Sequence, residues 1–455
     1  MSESAYAIPP NSTIVVTGAN GYIASHIVDV LLQLGFHVRG TVRSAKPWLD
    51  RLFEERHRHG KGRFESVIVP RMDVEGALDE VVKGAAGLIH VASDVSMNPD
   101  PNTVIPAAVN LTVNALKAAS KQPSIKRVVL TSSSSAVLIP KPNQEVVVDE
   151  KTWNDSAVSA AWDESTPADA RRYIVYAASK VEAERAAWKW VETHKPGFVL
   201  NAVIPNFNSG PILHPEIGGS TMGWARNLLK GDASVIELLP PQYYVDVRDN
   251  ARLHVASLLD KNIQSERIFA FAHEFNWTDI IQLFRKLRPH NTRIPEPPAN
   301  EGRDRSVVKP RKRAEQILRS FFGQEAWTGL EESFEAGIEG YYSIYLHGEK
   351  ERQKNDKKKS KKSKERKKGR KAKHSFCKKK AKEIEKNSTI PNPFLPSLDC
   401  SLLPAVSRPV TVQDDNMDMG YAVYIQTDRM NFLKKEREGE EEPNYHGAHE
   451  PRINE

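Results

Sequence analysis

The sequence predicts a doubly wound α/β protein, a parallel sheet covered by helices on both faces, followed by a smaller C-terminal part and a disordered tail. Three observations carry that expectation. Short β-branched apolar runs alternate with longer helical patterns from Thr13 to about Gly348. A turn bearing two glycines directly follows the first apolar run. Beyond Gly348 the apolar rhythm stops, and a lysine-rich segment takes its place.

The elements follow in order. TIVVTG, from Thr13, reads as a strand, and YIASHIVDVLLQLG as a helix closed by Gly35. FHVRGTVR and FESVIVPRM are the second and third strands; GLIHVAS, RVVLTSS and FVLNAVIP continue the series. VIPAAVNLTVNALKAASK supplies a helix between two of them. Strands alternating with helices argue for a parallel sheet buried on both faces. After about Pro205 the pattern breaks into loops, proline clusters and helices such as WTDIIQLFRKL and GLEESFEAGIEGYYSIYL. The expected division is therefore 1–204, a dinucleotide-binding domain carrying the chemistry; 205–348, mainly substrate-binding; and 349–455, a tail.

Composition narrows the function classes. The 455-residue chain has a formal charge of +7, but residues 350–386 hold twenty Lys or Arg against five acids, leaving −8 for everything else. A nucleic-acid role for the main body is therefore not expected, and only the 350–386 segment is suited to one. Its KKKSKKSKERKK stretch is similar to a basic nuclear-import signal. Cys377 and Cys400 are the two cysteines, which excludes a disulfide framework and a thiol nucleophile in the first 376 residues. His37, His90, His214 and His254 are scattered without ligand spacing, so no metal is expected. MSESAYAIPP lacks a basic-then-apolar leader and no apolar run reaches membrane-spanning length, so a soluble, cytoplasmic protein is expected.

Four features carry chemistry. Thr17-Gly18-Ala19-Asn20-Gly21-Tyr22-Ile23-Ala24 sits between strand and helix, where glycines let backbone N–H groups approach a pyrophosphate at a helix N-terminus. That is the dinucleotide-binding (Rossmann) arrangement. The end of the second strand offers Arg39, Arg43 and Lys46, with no acid before Asp50; cations there suit a 2′-phosphate and favour NADPH over NADH. Tyr176 and Lys180 stand i, i+4 on one helix face, so that an ammonium is placed to lower a phenol's pKa. Some forty residues upstream, Ser132-Ser133-Ser134-Ser135 ends the strand VVLT, where ligands bind in parallel sheets. A hydroxyl there can hold a carbonyl oxygen while Tyr176 donates its proton.

Together TGANGYIA, the strand-end serines and YAASK resemble the extended short-chain dehydrogenase/reductase superfamily. RVVLTSS followed by LIPKPN, AAWKW, NAVIPN and LPPQYYVDV resemble, more narrowly, the fungal NADPH-dependent aldehyde (carbonyl) reductases, close to the dihydroflavonol 4-reductases. The similarity runs from about Thr13 to about residue 345. It implies Ser133 as the carbonyl-holding serine, with Ser134 as the alternative if the loop is shifted by one. Tyr176 then matches the catalytic acid, and Lys180 the residue that tunes it and bonds the nicotinamide ribose. Gly18, Gly21, Tyr22 and Ile23 match the pyrophosphate loop, and Arg43 the 2′-phosphate contact. Asp73 and Val74 match the pair beside the adenine, and Pro205 the proline flanking the nicotinamide. PNFNSGP departs from many relatives at Asn208, where an apolar residue is usual; the departure leaves the polarity of the pocket open.

Asn206, Trp224, Leu239, Gln242 and Tyr243 fall in stretches expected to line the substrate pocket, and Trp224 and Tyr243 suggest an apolar or aromatic carbonyl compound. Two rivals stand beside the reductase. One is a nucleotide-sugar epimerase or dehydratase, which needs a basic, polar cleft and would draw on Arg226. The other is a non-catalytic NADP-binding regulatory protein, which typically lacks the Tyr/Lys pair.

Overall fold

The computed structural model describes residues 6–58 and 62–339, together with Lys378. The lysine-rich and proline-spaced tail expected to be disordered lies outside the described residues, as does the end of the GLEESFEAGIEGYYSIYL helix.

Twelve strands alternate with eleven helices among the described residues. The strands are β1 (Thr13–Val16), β2 (His37–Val42), β3 (Phe64–Ile68), β4 (Gly87–His90), β5 (Arg127–Thr131), β6 (Val147–Val148), β7 (Val199–Pro205), β8 (Phe207–Ser209), β9 (Gln242–Asp246), β10 (Arg267–Ala270), β11 (His273–Phe275) and β12 (Val307–Val308). The helices are α1 (Tyr22–Gln33), α2 (Pro47–Arg56), α3 (Pro101–Ser120), α4 (Asp155–Trp162), α5 (Ala168–His194), α6 (Ser220–Asn227), α7 (Ser234–Leu238), α8 (Val247–Leu259), α9 (Trp277–Leu287), α10 (Arg311–Phe322) and α11 (Leu330–Ile338).

Seven strands form one sheet in the order β10-β7-β5-β4-β1-β2-β3, every pair parallel. The expected Rossmann architecture is therefore present. Period-2 alternation distributes the strand residues between two layers. Ile14, Val16, Val129 and Val203 pack with residues of α1 and α8, whereas Val15, Val128, Leu130 and Leu200 pack with residues of α3 and α5. Both layers are almost fully dry, which is why the strands read as continuous apolar runs rather than alternating ones.

The chain after Pro205 contributes to the same sheet as well as to structure beyond it. β10 returns to pair with β7 at the sheet's edge, with Ala270 opposite Pro205. A second sheet, β11-β9-β8, forms past the ends of the large one, and α6 packs against β8. α9 carries a capping box in which Asn276 and Asp279 satisfy each other's backbone N–H groups, and it buries Trp277, Ile280, Ile281 and Phe284.

Candidate active site

In an open parallel sheet, ligands bind beyond the strand ends where the strand order reverses. Here that point lies between β1 and β4, since the chain builds β2 and β3 on one side of β1 and then crosses to the other. Thr17 closes β1 and ties the two strands together: its hydroxyl accepts the N–H groups of Val91 and Ala92 and bonds His90 Nδ1 at 3.0 Å. Gly18 follows with φ +68°, and a Cβ on it would sit 3.3 Å from Ala92, so both conformation and space require glycine.

The first turn of α1 offers unpartnered N–H groups. Gly21 caps the helix without a side-chain bond, and no acid stands in that turn. A Cβ on Gly21 would lie 3.1 Å from the Gly18 carbonyl, so the loop is a shallow cradle with backbone donors at its floor. The residues present fit a dinucleotide pyrophosphate. The Tyr22 side chain is engaged elsewhere. Its hydroxyl donates to the Gly210 carbonyl at 2.8 Å, and burial pushes its pKa well up.

Arg43, Asp73 and Val74 come together at the neighbouring strand ends. Arg43 is exposed on the loop after β2, makes no hydrogen bond or ion pair with another described residue, and its charge helps to lower the Asp73 carboxyl. The main cause of that lowering is the hydrogen bond from Arg71, at 2.6 Å. Asn114 bonds the Asp73 carbonyl, which fixes the turn, and Val74 stays half exposed beside it. Lys46 begins α2 in the same loop. Arg39 is a correction. Inside β2 it faces away from this end, forked between Glu65 and the carbonyls of Val81 and Lys83, and is spent on structure.

At the end of β5 the serines separate into distinct roles. Ser132 donates to Glu184 at 2.6 Å. Ser133 accepts from both the N–H and the hydroxyl of Ser135, at 3.2 and 2.9 Å, and its side chain acts on the Tyr176 phenol, holding its pKa down. Ser134 is buried in the short 3₁₀ turn Ser134–Ala136. Of the four serines, Ser133 is the one whose side chain acts on the Tyr176 phenol. Because Ser132 N–H bonds the Val203 carbonyl in the β5–β7 register, Pro205 and Asn206 follow next to this serine turn.

Tyr176 and Lys180 face the same side of α5, as spacing requires. Burial raises the Tyr176 phenol above its ordinary value, and the Ser133 side chain opposes it. The lowering expected from Lys180 is a correction: it is not among the influences on the phenol, and the ammonium is turned to the Thr131 carbonyl at 3.0 Å. Burial brings Lys180 itself down to about 8, with Glu184 opposing. His90 and His254 are packed histidines, as expected. Burial lowers them to about 3 and about 4, so both stay neutral, and His254 Nε2 bonds the Thr131 hydroxyl at 2.8 Å.

The five substrate-side residues fall on α6, on β9 and in the loops before β8 and β9. Trp224 is partly exposed on α6. Leu239 is buried, with its carbonyl taken by Trp277 Nε1 at 2.8 Å. Gln242 is buried and bonds the Pro240 carbonyl. The Tyr243 hydroxyl donates to the Ser306 carbonyl at 2.8 Å and its ring packs against Phe271, so its polar end is already engaged. Asn206 Oδ1 accepts the Phe207 N–H, and its carbonyl accepts from Asn208. The unusual Asn208 is satisfied internally by Asn206 and Asn250, which accounts for a polar side chain at a buried position.

Two residues escaped the sequence reading. Tyr173, one helical turn before Tyr176, stacks with it at 6.2 Å between ring centroids. Glu184, one turn after Lys180, is a buried carboxylate among the site's polar groups. Both extend the i, i+3 and i, i+4 ladder that begins at Tyr176, and this was the available signal. Among the described residues, no group of three or more His, Cys, Asp or Glu could hold a metal ion, and no helix is long and apolar enough to cross a membrane.

Comparison with known proteins follows this geometry. The family model described as NAD dependent epimerase/dehydratase matches residues 14–271. The ketoreductase adrE of Penicillium rubens is 47% identical over 336 residues, 73% of this chain and 97% of that protein. Aldehyde reductase 2 of Sporidiobolus salmonicolor is 44% identical over 331 residues, 72% of this chain and 95% of the relative. The crystal structure of Gre2 from Candida albicans in complex with NADPH matches with a TM-score of 0.58 at 25% identity, covering 73% of this chain and 98% of that one.

Proposed function

The chain belongs to the NAD dependent epimerase/dehydratase family, and we propose that within it Ser133, Tyr176 and Lys180 reduce the carbonyl of an apolar or aromatic aldehyde or ketone. The protein is an NADPH-dependent oxidoreductase acting on carbonyl and CH–OH groups, in keeping with its ketoreductase and aldehyde reductase relatives. The observation that carries the residue assignment is the packing of α5 against the serine turn after β5, where the Ser133 side chain acts on the Tyr176 phenol and the buried Lys180 donates to the Thr131 carbonyl at 3.0 Å.

Bound NADPH supplies the hydride. The cradle of Gly18, Gly21, Tyr22 and Ile23 would hold its pyrophosphate by backbone N–H groups, Arg43 and Lys46 its 2′-phosphate, Asp73 and Val74 its adenine, and Pro205 its nicotinamide. The Ser133 hydroxyl, fixed from behind by Ser135, holds the substrate oxygen. Tyr176 donates the proton as charge develops on that oxygen, because a phenol kept above its ordinary pKa is protonated at neutral pH. Lys180 places a positive charge behind it. Asn206 and Trp224 are the substrate contacts we retain, within a mainly substrate-binding part spanning 205–348. The epimerase reading loses its cation: Arg226 Nε donates to the Gly337 carbonyl at 2.6 Å and fastens α11 rather than facing a diphosphate. The cytoplasm is the proposed compartment, on the absence of a disulfide framework in the sequence.

A panel of aldehydes and ketones, followed by loss of NADPH absorbance, tests the reading; turnover of none of them would overturn it. Arg43→Ala tests the cofactor assignment. Loss of a charge-assisted contact should weaken NADPH by about ten- to a hundred-fold while leaving NADH nearly unchanged. Equal weakening of both would make Arg43 a structural residue.

A further inference from the structure

Glu184 is a carboxylate only 1% exposed, and nothing in the reduction as described uses it. It accepts from Ser132 Oγ at 2.6 Å, from Trp188 Nε1 at 3.1 Å, and from Arg267 Nε at 2.7 Å. Arg267 is itself only 7% exposed in its side chain. It is clamped by the carbonyls of Glu150 and Thr152 and stacked over Trp153, its guanidinium carbon 3.9 Å from the ring centroid. A charge buried this deeply is costly unless it is paired and hydrogen-bonded, and here every bond is supplied. The arrangement spans the sheet edge, joining β10 to the serine turn after β5.

Of its neighbours, one adjoins a residue proposed to act and another is such a residue. Ser132 immediately precedes Ser133, so a bond that fixes the Ser132 side chain also fixes where the Ser133 turn begins. Lys180 is one helical turn from Glu184 on α5, and the two line one small cavity with His90, Thr131 and Ser132. We propose that Glu184 is a positioning residue for the carbonyl reduction: it anchors the serine turn through Ser132 and supplies the buried counter-charge that keeps Lys180 an ammonium, while Arg267 holds it in place. This rests on the reductase reading.

Lys180 is faced from every side by groups that can be named. Tyr176 and Glu184 share α5; His90 comes from β4, the Thr131 carbonyl and Ser132 from β5, and His254 from α8, with Arg267 of β10 behind Glu184. The two histidines are neutral throughout the working range, and the phenol lies above it. Among the described residues that leaves Glu184 as the one anion acting directly on the ammonium. Burial brings Lys180 to about 8, so it is charged below that pH and loses its charge above it. Turnover at saturating NADPH and carbonyl should therefore fall as pH rises through about 8.

Removing the anion should move this alkaline limb to lower pH. Glu184→Gln keeps the shape and most hydrogen bonds, and its limb should shift down by about one pH unit, the size expected from one nearby buried charge. Glu184→Asp keeps the charge and should restore the limb. Ser132→Ala removes only the anchor; it should lower kcat more than it changes KM and leave the limb where the wild type has it. If Glu184→Gln does not fold, the double variant Glu184→Gln, Arg267→Met strands no charge and carries the same test. A limb at the wild-type pH in a folded variant without the carboxylate overturns the proposal. A wild type that reduces no carbonyl would instead overturn the functional reading beneath it.

Discussion

Tyr176→Phe should reduce kcat by about 10²–10⁴-fold, the range that positioned general acid catalysis supplies, without loss of the folded state. The substitution removes one hydroxyl. The ring remains stacked on Tyr173 at 6.2 Å, and the helix that carries it is held by buried Val175, Ala177, Ala178 and Val181 on either side. Ser133 keeps the two bonds from Ser135, so the serine turn is retained. NADPH affinity, measured by nicotinamide fluorescence, should change little, because the proposed phosphate and adenine contacts lie at the ends of β1, β2 and β3. The expected signature is a collapse of kcat with binding and the thermal unfolding midpoint preserved. Near-wild-type turnover would show that another group supplies the proton.

The sequence makes the Tyr176–Lys180 pair legible because helical spacing is a local rule: residues four apart share a face wherever the helix packs. The glycine turn was equally legible. Gly18 answers to a positive φ and to Ala92 pressed against it, demands that leave a mark at one position. Strand order was readable in outline, since alternating strands and helices impose a parallel sheet. That β10 would return across the molecule to the edge beside β7 was not, because no local pattern encodes a long-range pairing. Arg39 shows the same limit at one residue. Its charge suggested a phosphate, but the face of β2 it occupies is set by strand register, which turns it toward Glu65. Tyr243 reads as a pocket aromatic, but no local pattern shows that its hydroxyl donates to the Ser306 carbonyl, sixty-three residues on. Glu184 was missed for a related reason: a Glu within AERAAWKW reads as solvated helix surface until Arg267 is brought to it from eighty-three residues away.

That pairing leads to the largest stability effect expected in the molecule. Arg267→Ala should destabilise the protein by about 3–5 kcal/mol, the usual cost of leaving one half of a buried ion pair uncompensated. The side chains are 7% and 1% exposed, so solvent cannot replace the lost guanidinium. The same change releases the carbonyls of Glu150 and Thr152 and uncovers the Trp153 ring. Urea unfolding is the measurement, with a fall in midpoint at constant slope marking a true stability loss. Lys83→Ala, which breaks an exposed pair with Glu80 at 2.6 Å, is the control and should leave the midpoint in place. The decisive comparison is with Glu184→Gln, Arg267→Met. If stranded charge is the cause, the double variant loses less stability than Arg267→Ala alone, despite removing more. If the two losses simply add, the packing of Arg267 against Trp153, rather than its charge, is what holds the sheet edge closed.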